Sequence, residues 1–448
     1  MRVRKSHWPR IALLAAVLAL LAAPAWANVY ASGLAQTGSM SLSYVLNEKA
    51  DAGLTMQVWQ VGGGMVYSEA VGFPNKGTHN WTWDGTGYVP GNAYKVKAVA
   101  SSSGYGGWTQ ISTDQTSTSF YSPVGVSVNK LQSSANFGKT YVSNAVTGTT
   151  AYGRATPEGI YALNADCSEA GFSTGGVAWG GTSGPWKSTI GPDGHLYVVD
   201  LSNDLVHELS DDLSSATQLI GASNRTTNQW VGGVHVSGTQ AGGDRAIYLV
   251  DSNYNDTARK GLIAYHLGGN AAATPGDTGE QYIGPSYFAF YPYDVARDSA
   301  GDWYMCQYRY DPTQAPAISK FLDGAPPINT AQWETAKTAP YNGACDIDIY
   351  EPYGWIAYGN YYDGFVRIFS MSDGSYVGGF DAGTRMRSIA FDAAGNIVTV
   401  DNMTEWMRVW SPAGTNTFTT ESWFAIPEPS SFAALLIGLP LIAFRRRK

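Results

Sequence analysis

The chain has 448 residues, of which only 14% are charged, and it is rich in turn-forming Gly (52 residues) and in Tyr and Trp (28 and 15). Between its two ends, the body carries 20 basic and 35 acidic side chains, an acidic balance that repels phosphate backbones and excludes nucleic acid as a partner. The same composition describes an exported all-β protein with many turns and no long helix.

In chain order, the first element is basic at Arg2, Arg4, Lys5 and Arg10, apolar from Ile11 to Ala23, and closed by Ala25-Trp26-Ala27. Those three parts in that order make a secretory signal peptide, cleaved by signal peptidase after Ala27. Its apolar run is too short for a stable membrane span.

Residues 28–116 alternate as strands do. Ser41–Leu46 and Leu54–Val61 are predicted strands, with Gly62-Gly63-Gly64 as a turn. Further on come Trp81-Thr-Trp83-Asp84-Gly85 and then Pro90-Gly91-Asn-Ala-Tyr94-Lys-Val96-Lys-Ala98. Asp84-Gly85 and Pro90-Gly91 supply turns, and Tyr94, Val96 and Ala98 make one strand face. This stretch resembles the immunoglobulin-like module of the flagellar hook-capping protein, which implies a β-sandwich serving as spacer or binding platform.

From 120 to 425 the sequence repeats. The clearest unit is Ser188-Thr-Ile-Gly-Pro-Asp-Gly194-His-Leu-Tyr-Val-Val-Asp200 followed by Leu205–Leu209; its counterpart is Ser388-Ile-Ala-Phe-Asp-Ala-Ala-Gly395-Asn-Ile-Val-Thr-Val-Asp401 followed by Met407–Trp410. Four weaker copies begin at Val126, Val234, Asp294 and Asp346, so units recur every 40 to 56 residues or so, the length of a propeller blade. The pattern resembles NHL-type and gluconolactonase-type six-bladed β-propellers. A seventh blade hidden in 171–185 or 325–340, or a sandwich array, is the alternative. The predicted fold class is therefore all-β: an immunoglobulin-like sandwich followed by a six-bladed propeller.

In a meander blade, the start of the first strand and the end of the second share one face of the ring. Aligned on the turn glycine, the starts are Gly125, Lys187, Gly233, Asp294, Asp346 and Ser388; the ends are Asn144, Asp200, Asp251, Gln307, Asn360 and Asp401. Hard oxygen donors meeting there suit Ca²⁺, with Asp294, Asp346, Asp200 and Asp401 as metal ligands. Lys187, Asp251, Asn360 and Asn144 are the accompanying ligand-binding candidates. The resemblance to gluconolactonases implies a divalent cation held by Glu, Asn and Asp, although no acid stands beside Gly125 where that pattern begins. A strand-end Asp or Asn also suits a loop, because it accepts hydrogen bonds from backbone N–H groups two or three residues on.

Other signals are sparser. Gly171-Phe-Ser173-Thr-Gly175 has the letters of a nucleophile elbow but continues into Gly-rich chain without a helix. His195, His207 and His235 fall on strands without paired-His spacing, and Cys167, Cys306 and Cys345 form no metal-type motif. No catalytic residue is assigned. Aromatic side chains crowd 282–293 and 350–362, where exposed rings would stack on sugars and buried ones would pack between sheets.

The chain ends with Pro427-Glu428-Pro429, an apolar run from Phe432 to Phe444, and Arg445-Arg-Arg-Lys448. Motif and order resemble the PEP-CTERM sorting signal, which implies recognition of 427–448 by the membrane protease exosortase. The terminal cations would stay on the cytoplasmic side. The reading that unites these features is an exported cell-surface or matrix protein whose propeller loops bind a protein or an exopolysaccharide without catalysis. The competing reading is a metal-dependent hydrolase or lactonase at the propeller mouth, and convergence of the four aspartates separates the two.

Overall fold

The computed structural model describes residues 28–426 apart from 226–229, 254–257, 309–312, 314, 339 and 341. The expected signal peptide and sorting tail lie outside the described residues. Among those described, no helix is long and apolar enough to cross a membrane.

Six four-stranded antiparallel sheets form a β-propeller. Their innermost strands are Pro123–Val128, Ser188–Ile190, Val231–Ser237, Tyr291–Arg297, Ala344–Tyr350 and Met386–Phe391. Each packs beside the next, and the sixth packs beside the first, so the ring closes. Both places where a seventh blade was conceivable are accounted for. Glu169–Ser173 is the outer strand of blade 1, and Trp333–Glu334 is the outer strand of blade 4. Blade 6 takes its outer strand from earlier in the chain: Thr109–Gln110 pairs with Trp410 and Ser411. That splice between the two ends of the ring replaces an open sheet edge with hydrogen bonds.

A second unit is a two-sheet sandwich. One sheet holds Ala31–Gln36, Ser41–Leu46 and Gly77–Thr82; the other holds Gly414–Phe424, Tyr94–Tyr105, Gly53–Gln60 and Met65–Gly72. Alternate residues point inward along Ser41–Leu46 and Gly53–Gln60, the two-residue period of a half-buried strand. Leu42, Tyr44, Leu54, Met56, Trp81, Trp83, Tyr94 and Val96 meet between the sheets. The Asp84-Gly85 turn is fixed by Trp83 Nε1 donating to Thr86 O and Thr86 N donating to Asp84 Oδ1.

The chain departs here from the expected division at 116 and 425. The sandwich releases the chain after Tyr105, the whole propeller follows, and Gly414–Phe424 returns to pair with Tyr94–Tyr105. The reason is physical. The returning strand alternates like any edge strand, and nothing in its local sequence encodes a partner some three hundred residues earlier. The propeller is thus inserted into the sandwich.

The sandwich sits under the ring face that carries the turns between first and second strands. Tyr30, fully buried, packs edge-on against Phe137 and Phe418 at 5.8 and 5.7 Å between ring centres. Asn396 Nδ2 donates to Asn28 O at 2.8 Å across the same junction. The opposite face, where first strands start and second strands end, is left uncovered by the sandwich.

Candidate functional site at the propeller mouth

Inner strands of five blades carry a bulge at their first residues, between Pro123 and Gly125, Val231 and Val234, Pro292 and Asp294, Ala344 and Ile347, and Met386 and Ser388. A bulge re-aims a side chain, and in blades 4, 5 and 6 it falls beside Asp294, Asp346 and Ser388. Glycine in blades 1 and 3 is a packing need: a methyl group on Gly233 would collide with Asp294, and one on Gly125 would meet Trp186 O.

The structure divides the sequence-predicted residues into two groups. Lys187, Asp294, Asp346 and Ser388 meet at the axis, all 6% exposed or less. Lys187 Nζ lies 3.1 Å from Asp346 Oδ2 and also donates to Arg387 O. Ser388 Oγ donates to Asp346, as do the backbone N–H groups of Ile389 and Ile347 at 3.0 and 3.1 Å. Asp294 accepts from Ile347 N at 3.0 Å. Burial, followed by the negative charge of Asp346, pushes the Asp294 carboxyl well above the usual range, with Lys187 opposing.

The strand-end residues do not converge. Asp200 accepts from Gly180 N and from Asn203 N and Nδ2 at 2.9 to 3.1 Å. Asp401 accepts from the N–H groups of Thr384, Arg385, Met403 and Thr404 at 2.5 to 3.1 Å. Asn144 and Asn360 bridge their own loops in the same way, and Asp251 accepts from Asn253 N. Four aspartates around one ion, as the sequence suggested, is not the arrangement found: two cap separate loops, and two are bonded at the axis. The axial pair does not fit Ca²⁺ either. A calcium site needs six to eight oxygens with free lone pairs. Here an ammonium, a hydroxyl and backbone N–H groups already point at those oxygens.

The outer blades hold one more acidic group, which sequence reading passed over. Asp193, His195 and Glu208 lie within 4.8 Å of one another at the first turn of blade 2. Their donors are engaged as well. Tyr197 OH donates to Asp193 at 2.6 Å, His195 Nδ1 meets Glu208 at 2.6 Å, and the fully buried Arg245 donates to Glu208 at 2.6 Å. This is an ion-paired strut between blades 2 and 3. Ser173 stands on the outer strand of blade 1 with no helix after it, which removes the nucleophile-elbow reading. All three cysteines are buried free thiols, and burial pushes Cys345 up to about 12, far from a reactive thiolate.

What lies open at the mouth is aromatic and cationic. A cavity of about 300 Å³ is lined by Ser122, Trp186, Trp230, Ser252, Tyr293, Arg387 and Asn402, among others. Tyr293, Tyr308, Tyr361 and Tyr362 continue from it as a run of rings 5.3 to 5.8 Å apart. Arg387 and Arg385 both lie over Tyr361, at 4.5 and 4.8 Å from its centre, and Arg387 also lies 5.7 Å from Trp186. The predicted aromatic crowds therefore split. Tyr282, Tyr287 and Phe288 pack between blades 3 and 4, whereas Tyr293, Tyr361 and Tyr362 face the mouth. Sequence reading stopped at Ser388 and missed Arg387 beside it. The Arg385-Met-Arg387 pair in so acidic a body was the available signal.

No family model matches the chain, and no curated protein matches it in sequence. Among solved structures it is similar to a gluconolactonase from Xanthomonas campestris at 13% identity, covering 74% of this chain and 93% of that one, with a TM-score of 0.45. It is similar also to virginiamycin B lyase from Staphylococcus aureus (12% identity, 72% and 99% covered, TM-score 0.36) and to the WD40 propeller domain of Doa1 (13%, 70% and 89%, 0.39). At such identities the likeness concerns fold and not activity. The propeller itself is established by the pairing of this chain's own strands: six four-stranded blades, closed through Thr109–Gln110.

Proposed function

We propose that this chain is an exported, non-catalytic binding protein that holds a polysaccharide at the propeller mouth. A signal peptidase would remove 1–27, and an exosortase-type protease would process 427–448, placing the body at the cell surface or in the extracellular matrix. The sandwich, with the immunoglobulin-like turns at Asp84-Gly85 and Pro90-Gly91, is then a spacer. Support for this orientation comes from the return strand: chain leaving Phe424 departs from the sandwich, on the side of the ring opposite the mouth. A tether there would hold the mouth outward.

One observation carries the binding reading. Trp186 is 5% exposed, and its indole N–H is buried without a hydrogen-bond partner while it lines the mouth cavity. Buried donors are nearly always paired, and leaving one unmade costs about 1–3 kcal/mol. A site that tolerates this in the absence of ligand suits one that is completed by ligand. The acids that hydrolysis would require are by contrast consumed by their own loops or by Lys187.

Retention of the purified full chain on a panel of immobilised acidic and neutral polysaccharides tests the proposal, with Trp230→Ala as the mouth variant. Trp230 is 52% exposed, so its loss leaves folding intact. Retardation of the wild type that disappears in Trp230→Ala is the expected result. Passage of the wild type without delay, or equal retention of both, overturns it.

A further inference from the structure

The mouth also specifies the charge of what it binds. The body is acidic overall, and most of its buried or half-buried cations have acid partners: Lys187 with Asp346, Arg245 with Glu208, Arg367 with Asp363, Arg408 with Asp114. Arg387 and Arg385 are exceptions. Neither forms an ion pair with any described residue, and both are half-buried against the ring of Tyr361. The Arg387 Nε is buried without a partner, as is the Trp186 Nε1 across the same cavity. Uncompensated cationic donors facing a cavity favour an anion, and a guanidinium edge matches a carboxylate in geometry.

The cavity's other walls choose between anions. Trp230, 52% exposed, offers a ring, Trp186 and Tyr293 line the wall beside it, and Ser122 and Asn402 offer hydroxyl and amide partners. The Asn402 Oδ1 is itself buried and unpaired, an acceptor waiting for a hydroxyl. Ring faces, a hydroxyl acceptor and an unpaired guanidinium together describe a sugar ring bearing a carboxylate. At about 300 Å³ the space stands at the small end of ligand pockets, right for one unit of a longer chain.

We infer that the mouth binds an acidic saccharide of the uronate class, its carboxylate on Arg387 with Arg385 adding charge, its ring against Trp230 and one of its oxygens on the Trp186 N–H. This rests on the binding role proposed for the mouth and names the ligand chemistry of that site.

The test is calorimetric titration of the full chain with trigalacturonate and with its fully methyl-esterified form, which keeps the rings and removes the charge. Pentaglutamate serves as an acidic peptide probe. The expected result is binding of the acid at least tenfold tighter than the ester. Arg387→Gln brings the acid down to the level of the ester and leaves the ester unchanged. Arg385→Gln, at the more peripheral guanidinium, gives a smaller drop of the same kind, so the inference survives a failure of Arg387→Gln to fold. Trp186→Phe, which keeps a ring and loses the N–H, weakens both saccharides. Equal binding of acid and ester overturns the anionic assignment and leaves the mouth a neutral-sugar site. Binding of pentaglutamate alone overturns the saccharide. Failure of all three probes while the chain is retained on a polysaccharide column overturns the uronate assignment only; failure of both experiments removes the binding role as well.

Discussion

The ring has two open ends, and they are built on opposite terms. Below the axial carboxylates lies the larger space, about 710 Å³, lined by aliphatic residues of the inner strands such as Val126, Ile190, Val234, Ile347 and Ile389, and by Asn416, Thr417 and Phe418 of the returning strand. Its charged groups are satisfied: Lys130 pairs with Asp348 at 3.0 Å, and Asp348 also accepts from Ile349 N and Phe391 N. Above the carboxylates lies the smaller mouth, where an arginine, an indole and an amide have no partner. Size therefore ranks the two ends wrongly. The unpaired groups of Arg387, Trp186 and Asn402 set the mouth apart, while the larger space is bordered by the sandwich's returning strand.

The sharpest way to break this contrast is to disturb the partition between the ends. Asp346→Ala leaves Lys187, 2% exposed, without its counter-charge. Breaking a buried pair from one side costs about 3–5 kcal/mol, so the urea midpoint falls steeply. Asp294→Asn is expected to cost clearly less, because burial and the neighbouring Asp346 both disfavour the charged form of that carboxyl. Similar losses in the two variants would mean that the axis is not organised around Asp346.

How much of this was legible follows from where each instruction is written. The blade pattern was visible because Leu196–Asp200 and Ile397–Asp401 each carry an apolar run, a preceding turn glycine and a terminal Asp within a dozen residues. The caps were visible for the same reason, since Asp200 and Asp401 bond amides in their own or adjoining loops. Convergence at the axis was not. Lys187 meets Asp346 across 159 positions, and Asp346 lies in a bulge of its own strand, which leaves no fixed mark in sequence. The two closing strands, Thr109–Gln110 and Gly414–Phe424, were hidden likewise, their partners being chosen by topology. Arg387 was hardest of all, because its defining property is the partner it lacks.

Next in size is a pH effect confined to the sandwich side. Glu48 is 4% exposed, one of its oxygens accepts from Tyr105 OH at 2.8 Å, and the other has no partner. Burial pushes its carboxyl up from 4.5 to about 7. Asp392, buried at the junction beneath blade 6, is pushed up by burial to about 6. For both, the folded chain holds its proton longer than the unfolded chain does. Stability therefore falls as pH rises from about 4 to about 7, and the loss is complete above that window. The Glu48 contribution is on the order of 3 kcal/mol. Melting of the wild type at pH 5 is expected several degrees above that at pH 8, and Glu48→Gln is expected to recover much of the difference at pH 8 while changing little at pH 4. A melting temperature that rises between pH 5 and pH 8 in the wild type would show that these acids are ionised and paired.

The smallest expected effect on folding is at the mouth, and it separates a ligand site from a structural strut. Arg387 has no ion pair to lose. Its side chain contributes two ring contacts, at 4.5 and 5.7 Å, each worth about 0.5–1 kcal/mol at a partly exposed site. Its backbone carbonyl, which holds Lys187, is kept in any substitution. Arg387→Gln should therefore lower the unfolding free energy by about 1–2 kcal/mol, against about 3–5 for Lys187→Gln, which strands Asp346 beneath it. Both residues are cations near the same axis, joined by the contact of Lys187 Nζ with the Arg387 carbonyl. Only the lower one has been given an acid. If Arg387→Gln proved as destabilising as Lys187→Gln, the upper arginine would be part of the scaffold, and the contrast between a satisfied end and an open one would fail at its most specific residue.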